Sequence, residues 1–156
     1  MLVRPATRDD LPALGRLGAL LMRVHHDFDR LRFIDPGAEP ERGYANFLGA
    51  QLRDADALVL VADVDGRVAG YVYAAIEPLS WKELRDECGY IHDLVVDPDE
   101  RRHGAGSALI EAACEWLRGR GMPRVVLGTA EKNVGAQRLF ERSQFRRTMV
   151  EMTREL

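Results

Sequence analysis

Residues 100–107 read ERRHGAGS and place basic side chains directly before two glycines, at the start of an apolar helical pattern. Because glycine has no Cβ, the backbone N–H groups around Gly104 and Gly106 can approach an anion closely. The free N–H groups and the positive dipole end of the following helix point the same way. Arg101 and Arg102 add donors suited to phosphate oxygens. The stretch predicts a phosphate site, although a charged loop before a helix explains it equally well.

Two common nucleotide motifs fit this stretch poorly. A P-loop needs a lysine followed by serine or threonine, whereas Ser107 and Ala108 follow the second glycine here. The glycines of a dinucleotide-binding fingerprint follow a strand directly, but the polar segment DPDERRH intervenes, and Leu109 occupies the third glycine position. Both nucleotide-binding interpretations are therefore disfavoured.

The elements around the stretch predict a mixed α/β domain in the order β-α-α-β-β-β-α-β-α-β. Asp65-Gly66 predicts a hairpin between two of the strands. The expected strands are 2–7, ALVLVADVD, RVAGYVYAAIEP, GYIHDLVVDP, RVVLGT and a closing strand at 145–154. The expected helices begin at Thr7 or Asp9, cover about 40–54 and 104–120, and start again at Asn133, with a loop over HHDFDRLRFIDPGAEPE.

The bulk composition predicts one globular domain over residues 1–156, with 46% hydrophobic and 30% charged residues. A net charge of −3 argues against a nucleic-acid partner, so any anion site is local. No apolar run is long enough to cross a bilayer and the N-terminus does not resemble a signal peptide, so we expect a cytoplasmic protein without a membrane partner. Cys88 and Cys114 form no close-spaced metal pair, and His25-His26 lack a second ligand cluster, so no metal is expected.

Two segments together resemble the GCN5-related N-acetyltransferase (GNAT) superfamily. The segment LVVDPDERRHGAGSALIEAA is similar to the family's Arg/Gln-x-x-Gly-x-Gly/Ala motif after a strand ending in Val-x-Pro. Downstream, NVGAQRLFERSQF is similar to Asn-x-x-Ala-x-x-Leu-Tyr/Phe-Glu-x-x-Gly-Phe. One helix and one strand separate the segments, as in the family, and the resemblance covers nearly the whole chain.

The resemblance implies a mostly antiparallel central sheet with one splayed parallel strand pair, helices on both faces, and an acetyl-CoA site in the splay. The strand backbone at the end of GYIHDLVVDP would pair with the pantetheine arm, the glycine stretch would hold the pyrophosphate, and two residues would line the opposite wall. The implied cofactor-binding residues are Leu94, Val95, Val96, Arg101, Arg102, His103, Gly104, Ala105, Gly106, Ser107, Asn133 and Phe140.

The implied reaction is direct attack of an amine on the thioester, which requires a base, an oxyanion site and a proton for the thiolate. Asp93 and His92 are the catalytic candidates, with Asp93 ranked first; because they are adjacent on a strand, we expect them on opposite faces of the sheet. Further options for the base are Glu87, Tyr90 and Glu131. Phe140 stands where the family often has a tyrosine that protonates the thiolate.

The sequence thus predicts an acetyl-CoA-dependent N-acetyltransferase. A phenylalanine at position 140 keeps open an alternative, an acyl-CoA-binding sensor or interaction module with little activity. Segments 20–45 and 77–90 are expected to build the acceptor wall, but they do not reveal which small-molecule or peptide amine is acetylated. The family often dimerises through C-terminal strands, so the resemblance also implies a homodimer.

Overall fold

A computed structural model describes residues 1–156 and contains one five-stranded sheet. The strands are β1 (Leu2–Pro5), β2 (Ala57–Val64), β3 (Arg67–Glu77), β4 (Cys88–Val96) and β5 (Val125–Leu127). The helices are α1 (Leu11–Phe28), α2 (Pro40–Gln51), α3 (Ala105–Gly119) and α4 (Val134–Arg142). The strands lie in sequential order; β4 and β5 are parallel and all other neighbours are antiparallel. The predicted fold class is confirmed.

Helices cover both faces of the sheet, as predicted. On one face, Leu14 and Leu17 of α1 and Leu48 of α2 pack with Tyr71 and other apolar side chains of β2, β3 and β4. On the other face, the apolar side of α3 packs on the alternate residues of the same strands. This alternation follows from the period of two along a strand, and it separates the core into two layers.

The β2–β3 hairpin turns at Asp65 and Gly66, which both have positive φ angles of 52° and 80°. Two successive left-handed residues are typical of the tight turn whose twist matches that of the flanking strands. The hairpin predicted from this dipeptide is confirmed.

The parallel strands β4 and β5 pair over a short distance and then separate. Their register couples only Gly89, Tyr90 and Ile91 of β4 to the three residues of β5. The part of β4 from residue 92 to residue 96 therefore has no strand partner on its β5 side. This opening is the predicted splay, and it leaves backbone groups of β4 free to bind a ligand.

A β-bulge interrupts β4 where the splay begins. Tyr73 of β3 pairs with Asp93, and the next residue, Ala74, pairs with Ile91, so His92 has no partner in β3. A bulge inserts one extra residue into a strand and shifts the alternation of its side chains.

Two predictions about element boundaries are wrong. The strand expected over 145–154 does not form, because these residues pair with no neighbour and residues 146–156 are all exposed. The helix α1 extends through His25 and His26 to Phe28, where we expected a loop. It ends at Asp29, whose backbone N–H donates to the carbonyl of His25. No helix of the chain combines the length and the apolar character that a membrane span requires.

Candidate active site

A cavity of about 320 Å³ lies in the splay between β4 and β5. One wall comes from β4, the end of β5 and α4, and the other wall comes from the end of α1, the segment after it, and α2. Its lining includes His25, Arg32, Phe33, Tyr44, His92, Asp93, Leu94, Asn133 and Phe140. The cavity thus joins the predicted cofactor wall to the segment 20–45 expected to contact the acceptor.

The end of β4 presents backbone rather than side chains to this opening. Val95 is buried in the core against α1, and Leu94 and Val96 pack on the α3 side. Because the side chains of residues 94–96 pack in the two core layers, this part of the unpaired β4 edge offers N–H and C=O groups, which suit an amide-containing extended ligand.

The backbone N–H groups of residues 101–107 have no hydrogen-bond partner in the chain. The first bond of α3 runs from the N–H of Ala108 to the carbonyl of Gly104, and no backbone N–H group of residues 101–107 donates to another group of the chain. Gly104 precedes α3 with φ 84°, a left-handed conformation that favours glycine. A row of free donors at a helix N-terminus has the geometry that suits an anion.

The basic side chains of the loop are exposed. The Nε group of Arg101 donates to the carbonyl of Val96 at 3.3 Å, and Arg102 adopts a positive φ of 70°. His103 and Ser107 are exposed as well. The predicted residues 101–107 thus form a loop and the first turn of α3, directly after β4, and none of them lines the cavity.

A buried carboxylate anchors the start of this loop. Asp97 accepts a hydrogen bond from Nη1 of Arg16 at 2.8 Å and one from the N–H of Asp99. The bond from Arg16 lowers the pKa of Asp97 below its usual range. Since α1 carries Arg16, this pair ties the loop to α1.

Asp93 is buried and receives two phenol hydroxyls on one oxygen. Tyr44 donates to Oδ2 at 2.8 Å and Tyr71 at 3.0 Å. Oδ1 has no partner among the hydrogen bonds, yet no polar atom is both fully buried and unsatisfied, so Oδ1 reaches the cavity surface. Burial raises the pKa of Asp93, and the two phenols oppose that rise. The carboxylate is fixed at one oxygen and open at the other.

His92 lies beside Asp93 on the same face, because the bulge cancels the alternation. The expectation that the two side chains face opposite sides of the sheet is therefore wrong: His92 stacks on Tyr73, a neighbour of Tyr71 on the α1 face, and both candidates line the cavity. The second face of the imidazole stacks on Tyr90, with centroids 4.6 Å apart. Its Nε2 lies 2.8 Å from a carboxylate oxygen of Glu77.

Some of the other predicted residues line the cavity and some do not. Asn133 and Phe140 line the cavity as expected, and the side chain of Asn133 also caps α4 by accepting from the N–H of Ala136. The remaining options for the base, Glu87, Tyr90 and Glu131, do not line it.

Two further residues of the cavity, Tyr44 and Arg32, were not candidates from the sequence, and His25 was considered there only as a possible metal ligand. Tyr44 lies in the segment of about 40–54 that was expected only to form a helix. The Nδ1 atom of His25 lies 2.9 Å from the carbonyl oxygen of Leu21, and because a carbonyl only accepts, Nδ1 donates this hydrogen bond. No local signal identifies these roles, because contacts with β4 and with the C-terminal segment create them.

The fold and the splayed cleft define a class of acetyltransferases, and comparison with known proteins identifies the family. The Acetyltransferase (GNAT) family matches residues 22–145. An uncharacterized N-acetyltransferase of Archaeoglobus fulgidus is 31% identical over 147 residues, covering 94% of both chains. An uncharacterized N-acetyltransferase of Methanocaldococcus jannaschii is 32% identical over 143 residues, with 92% of this chain and 59% of the relative covered. The chain belongs to the GNAT family.

Solved structures agree on the fold. A mutant of a Bacillus halodurans protein superposes with a TM-score of 0.84 at 23% identity, covering 100% of this chain and 99% of the other. An aminoglycoside 6'-N-acetyltransferase of Acinetobacter haemolyticus gives a TM-score of 0.74 at 19% identity, covering 100% and 99%. The chain spans only part of several curated relatives, including 28% of a mycothiol acetyltransferase from Clavibacter michiganensis that is 34% identical over 95 residues.

Proposed function

We propose that the protein transfers an acetyl group from acetyl-CoA to a primary amine by direct attack within a ternary complex, as one domain over residues 1–156. The observation that carries this proposal is the continuity between the open β4 edge and the free N–H groups of residues 101–107. An extended amide-containing arm and a diphosphate need these two features side by side.

The donor would be held by groups that the fold leaves without partners. The backbone of Leu94, Val95 and Val96 would bind the pantetheine amides, and the loop from Arg101 to Ser107 would bind the pyrophosphate. Asn133 and Phe140 would form the wall opposite β4. The exposed guanidinium groups of the loop add charge that suits phosphate oxygens.

Asp93 is the proposed general base. Its free Oδ1 faces the cavity, and the raised pKa that burial produces makes it a stronger base than a surface carboxylate. The amine nitrogen bonds to the thioester carbon, the carbon–sulfur bond breaks, and Asp93 takes the proton released from nitrogen. Tyr44 and Tyr71 keep the carboxylate in one orientation throughout.

His92 is the second candidate for the base, since it lines the same cavity. Its Nε2 is paired with Glu77 and its ring is stacked between two tyrosines. We expect Asp93→Asn to lower kcat by about 100-fold or more, as for loss of a general base. His92→Gln should have the smaller effect on kcat, and the reverse order would assign the base to His92.

Phe140 supplies no proton to the departing thiolate. The ring is buried and packs edge-on against Phe145 at 6.0 Å. The sulfur must therefore receive its proton from Asp93 or from water in the cavity. This feature also supports the second candidate function, an acyl-CoA-binding sensor with little catalysis.

Release of CoA thiol from acetyl-CoA, measured against a panel of primary amines, tests the proposed reaction. Acetyl-CoA binding without turnover on any amine would favour the sensor.

Gly104→Val tests the phosphate site, because a β-branched residue is strained at φ 84° and would move the loop. We expect acetyl-CoA binding to be lost in this variant and retained in the control Gly135→Val, where an added Cβ meets nothing within 4 Å and no positive φ is required.

A homodimer is the proposed assembly. The outer edge of β5 has no strand partner, and the C-terminal segment exposes Met149, Val150 and Met152. Open strand edges and exposed apolar side chains both favour pairing with another chain. Light scattering of the full chain tests this assembly, and a monomeric mass at micromolar concentration would contradict it.

A further inference from the structure

Arg32 contributes a charged group to the wall of the cavity opposite the cofactor wall. It follows α1 and lines the cavity together with His25, Phe33 and Asp93. The guanidinium lies over the ring of Phe33, 4.9 Å from its centroid. This contact holds the planar fork of donors in a fixed orientation.

The fork of Arg32 is occupied by a carboxylate from the C-terminal segment. Nε of Arg32 donates to Oε1 of Glu151, and Nη2 donates to Oε2 at 2.9 Å. Two parallel bonds to one carboxylate are the geometry by which arginine recognises carboxylate and phosphate groups. The structure thus shows that the cavity wall can bind an oxyanion in two-point fashion.

Few contacts other than the ion pair with Arg32 hold Glu151 in place. Residues 146–156 are all exposed and form no regular structure, and the neighbouring Val150 and Met152 are 82% and 90% exposed. Apart from the contact with Arg32, residues 148–156 make no side-chain hydrogen bond. An ion pair between exposed groups contributes about 0–1 kcal/mol, so another oxyanion can displace this carboxylate at low cost.

The position of Arg32 relative to Asp93 relates this oxyanion site to the proposed acetyl transfer. Both residues line one cavity, so an acceptor could place its amine at Oδ1 of Asp93 while a second group contacts the guanidinium. No other lysine or arginine side chain lines the cavity. A neutral acceptor would leave Arg32 paired with Glu151, and a polycationic acceptor would be repelled by the guanidinium.

We infer that Arg32 is the acceptor-anion subsite, and that the acceptor is a primary amine that also carries an oxyanion, a carboxylate or a phosphate. This inference rests on the proposed acetyl transfer. In the absence of acceptor, Glu151 occupies the subsite as an internal competitor. Removal of either partner breaks the same ion pair, yet the two removals should affect acceptor binding in opposite directions.

Matched amines test the subsite. We would measure KM for 4-aminobutanoate and 6-aminohexanoate against their primary amides, and for O-phosphoethanolamine against ethanolamine. The anionic member of at least one pair should have a KM about 10-fold lower or better, the factor expected from a charged two-point contact. The carboxylate and phosphate pairs distinguish the two oxyanions.

Two variants separate recognition from structure. Arg32→Gln should raise KM for the anionic amine about 10-fold and leave the amide unchanged. Glu151→Gln should lower KM for the anionic amine, because the competitor is gone. Arg30→Gln is the control, since Arg30 is exposed and makes no ion pair. Equal shifts in the same direction for Arg32→Gln and Glu151→Gln would show a merely structural pair and overturn the inference.

A binding measurement without turnover tests the Arg32 subsite independently of the proposed acetyl transfer. Calorimetric titration of the same amines and amides, with CoA present, should show tighter binding of the anionic member and its loss in Arg32→Gln. If amines are acetylated or bound without any preference for an oxyanion, the subsite is wrong while acetyl transfer stands. If the anionic amines bind through Arg32 but none is acetylated, the proposed reaction is wrong and the subsite stands.

Discussion

The hydroxyl of Tyr44 donates a hydrogen bond to Oδ2 of Asp93, 2.8 Å away, and so ties α2 to the bulged part of β4. Tyr71 of β3 donates to the same oxygen. Both donors stabilise the charged carboxylate against the burial that raises its pKa. The Asp93 carboxylate proposed to accept the proton therefore has its position and basicity set by residues from other elements.

Tyr44→Phe should shift the pH dependence of activity. Loss of the phenol removes a hydrogen bond to the charged form, so the pKa of Asp93 rises further above its usual range. The acid limb of kcat/KM, which reports the free enzyme, should move to higher pH. Tyr73→Phe is the matched control, because its hydroxyl donates to Gln51 rather than to Asp93. An unmoved acid limb in Tyr44→Phe would contradict the role of Asp93 as the base.

The contribution of Asp93 to the free energy of unfolding should decrease as the pH rises. Because its pKa is raised on folding, the folded chain holds the proton more tightly, and this contribution is complete below the unfolded value of 3.8 and lost as the pH rises through the folded value. The free energy of unfolding of the wild type minus that of Asp93→Asn should fall over this range, by at most about 1.4 kcal/mol per pH unit. Urea denaturation between pH 4 and pH 8 measures the difference, and a rise with pH would contradict the burial of this carboxylate.

The ring of Tyr44 packs directly against Gly18 of α1, where a side chain would collide with it. A Cβ added at Gly18 would lie 2.0 Å from Cδ1 of that ring, far inside contact distance. Gly18→Ala should therefore displace Tyr44, lower stability by about 1–3 kcal/mol as an overpacked site, and reduce kcat. Gly43→Ala in α2 meets nothing within 4 Å and should stabilise the chain by about 0.5–1 kcal/mol. Thermal unfolding of both variants checks the contrast.

Local pattern was sufficient to predict most of the fold and the loop that would bind phosphate. The hairpin at Asp65-Gly66 and the glycine stretch before α3 are encoded in contiguous residues, so their geometry follows from local conformational preference. The strand predicted over 145–154 is absent, because a strand needs a partner to pair with and this segment has none.

The cavity was less predictable, because contacts between distant residues build it. The bulge that turns His92 to the same face as Asp93 arises from the register between β3 and β4, which the sequence of β4 alone does not specify. Tyr44 lies 49 residues from Asp93, and Arg32 lies 119 residues from Glu151. Such pairs require the tertiary arrangement.

Arg16→Met should weaken acetyl-CoA binding without affecting the amine. Arg16 holds Asp97 at 2.8 Å, and Asp97 also binds the N–H of Asp99 at the start of the phosphate loop. Without the guanidinium, the loop loses its tie to α1, so KM for acetyl-CoA should rise about 3- to 10-fold while KM for the amine stays constant, as for loss of one charged hydrogen bond. Arg23→Met is the control on the same helix, where the nearest carboxylate is 3.8 Å away. Equal effects of both variants on KM would show that the Arg16–Asp97 pair does not position the loop.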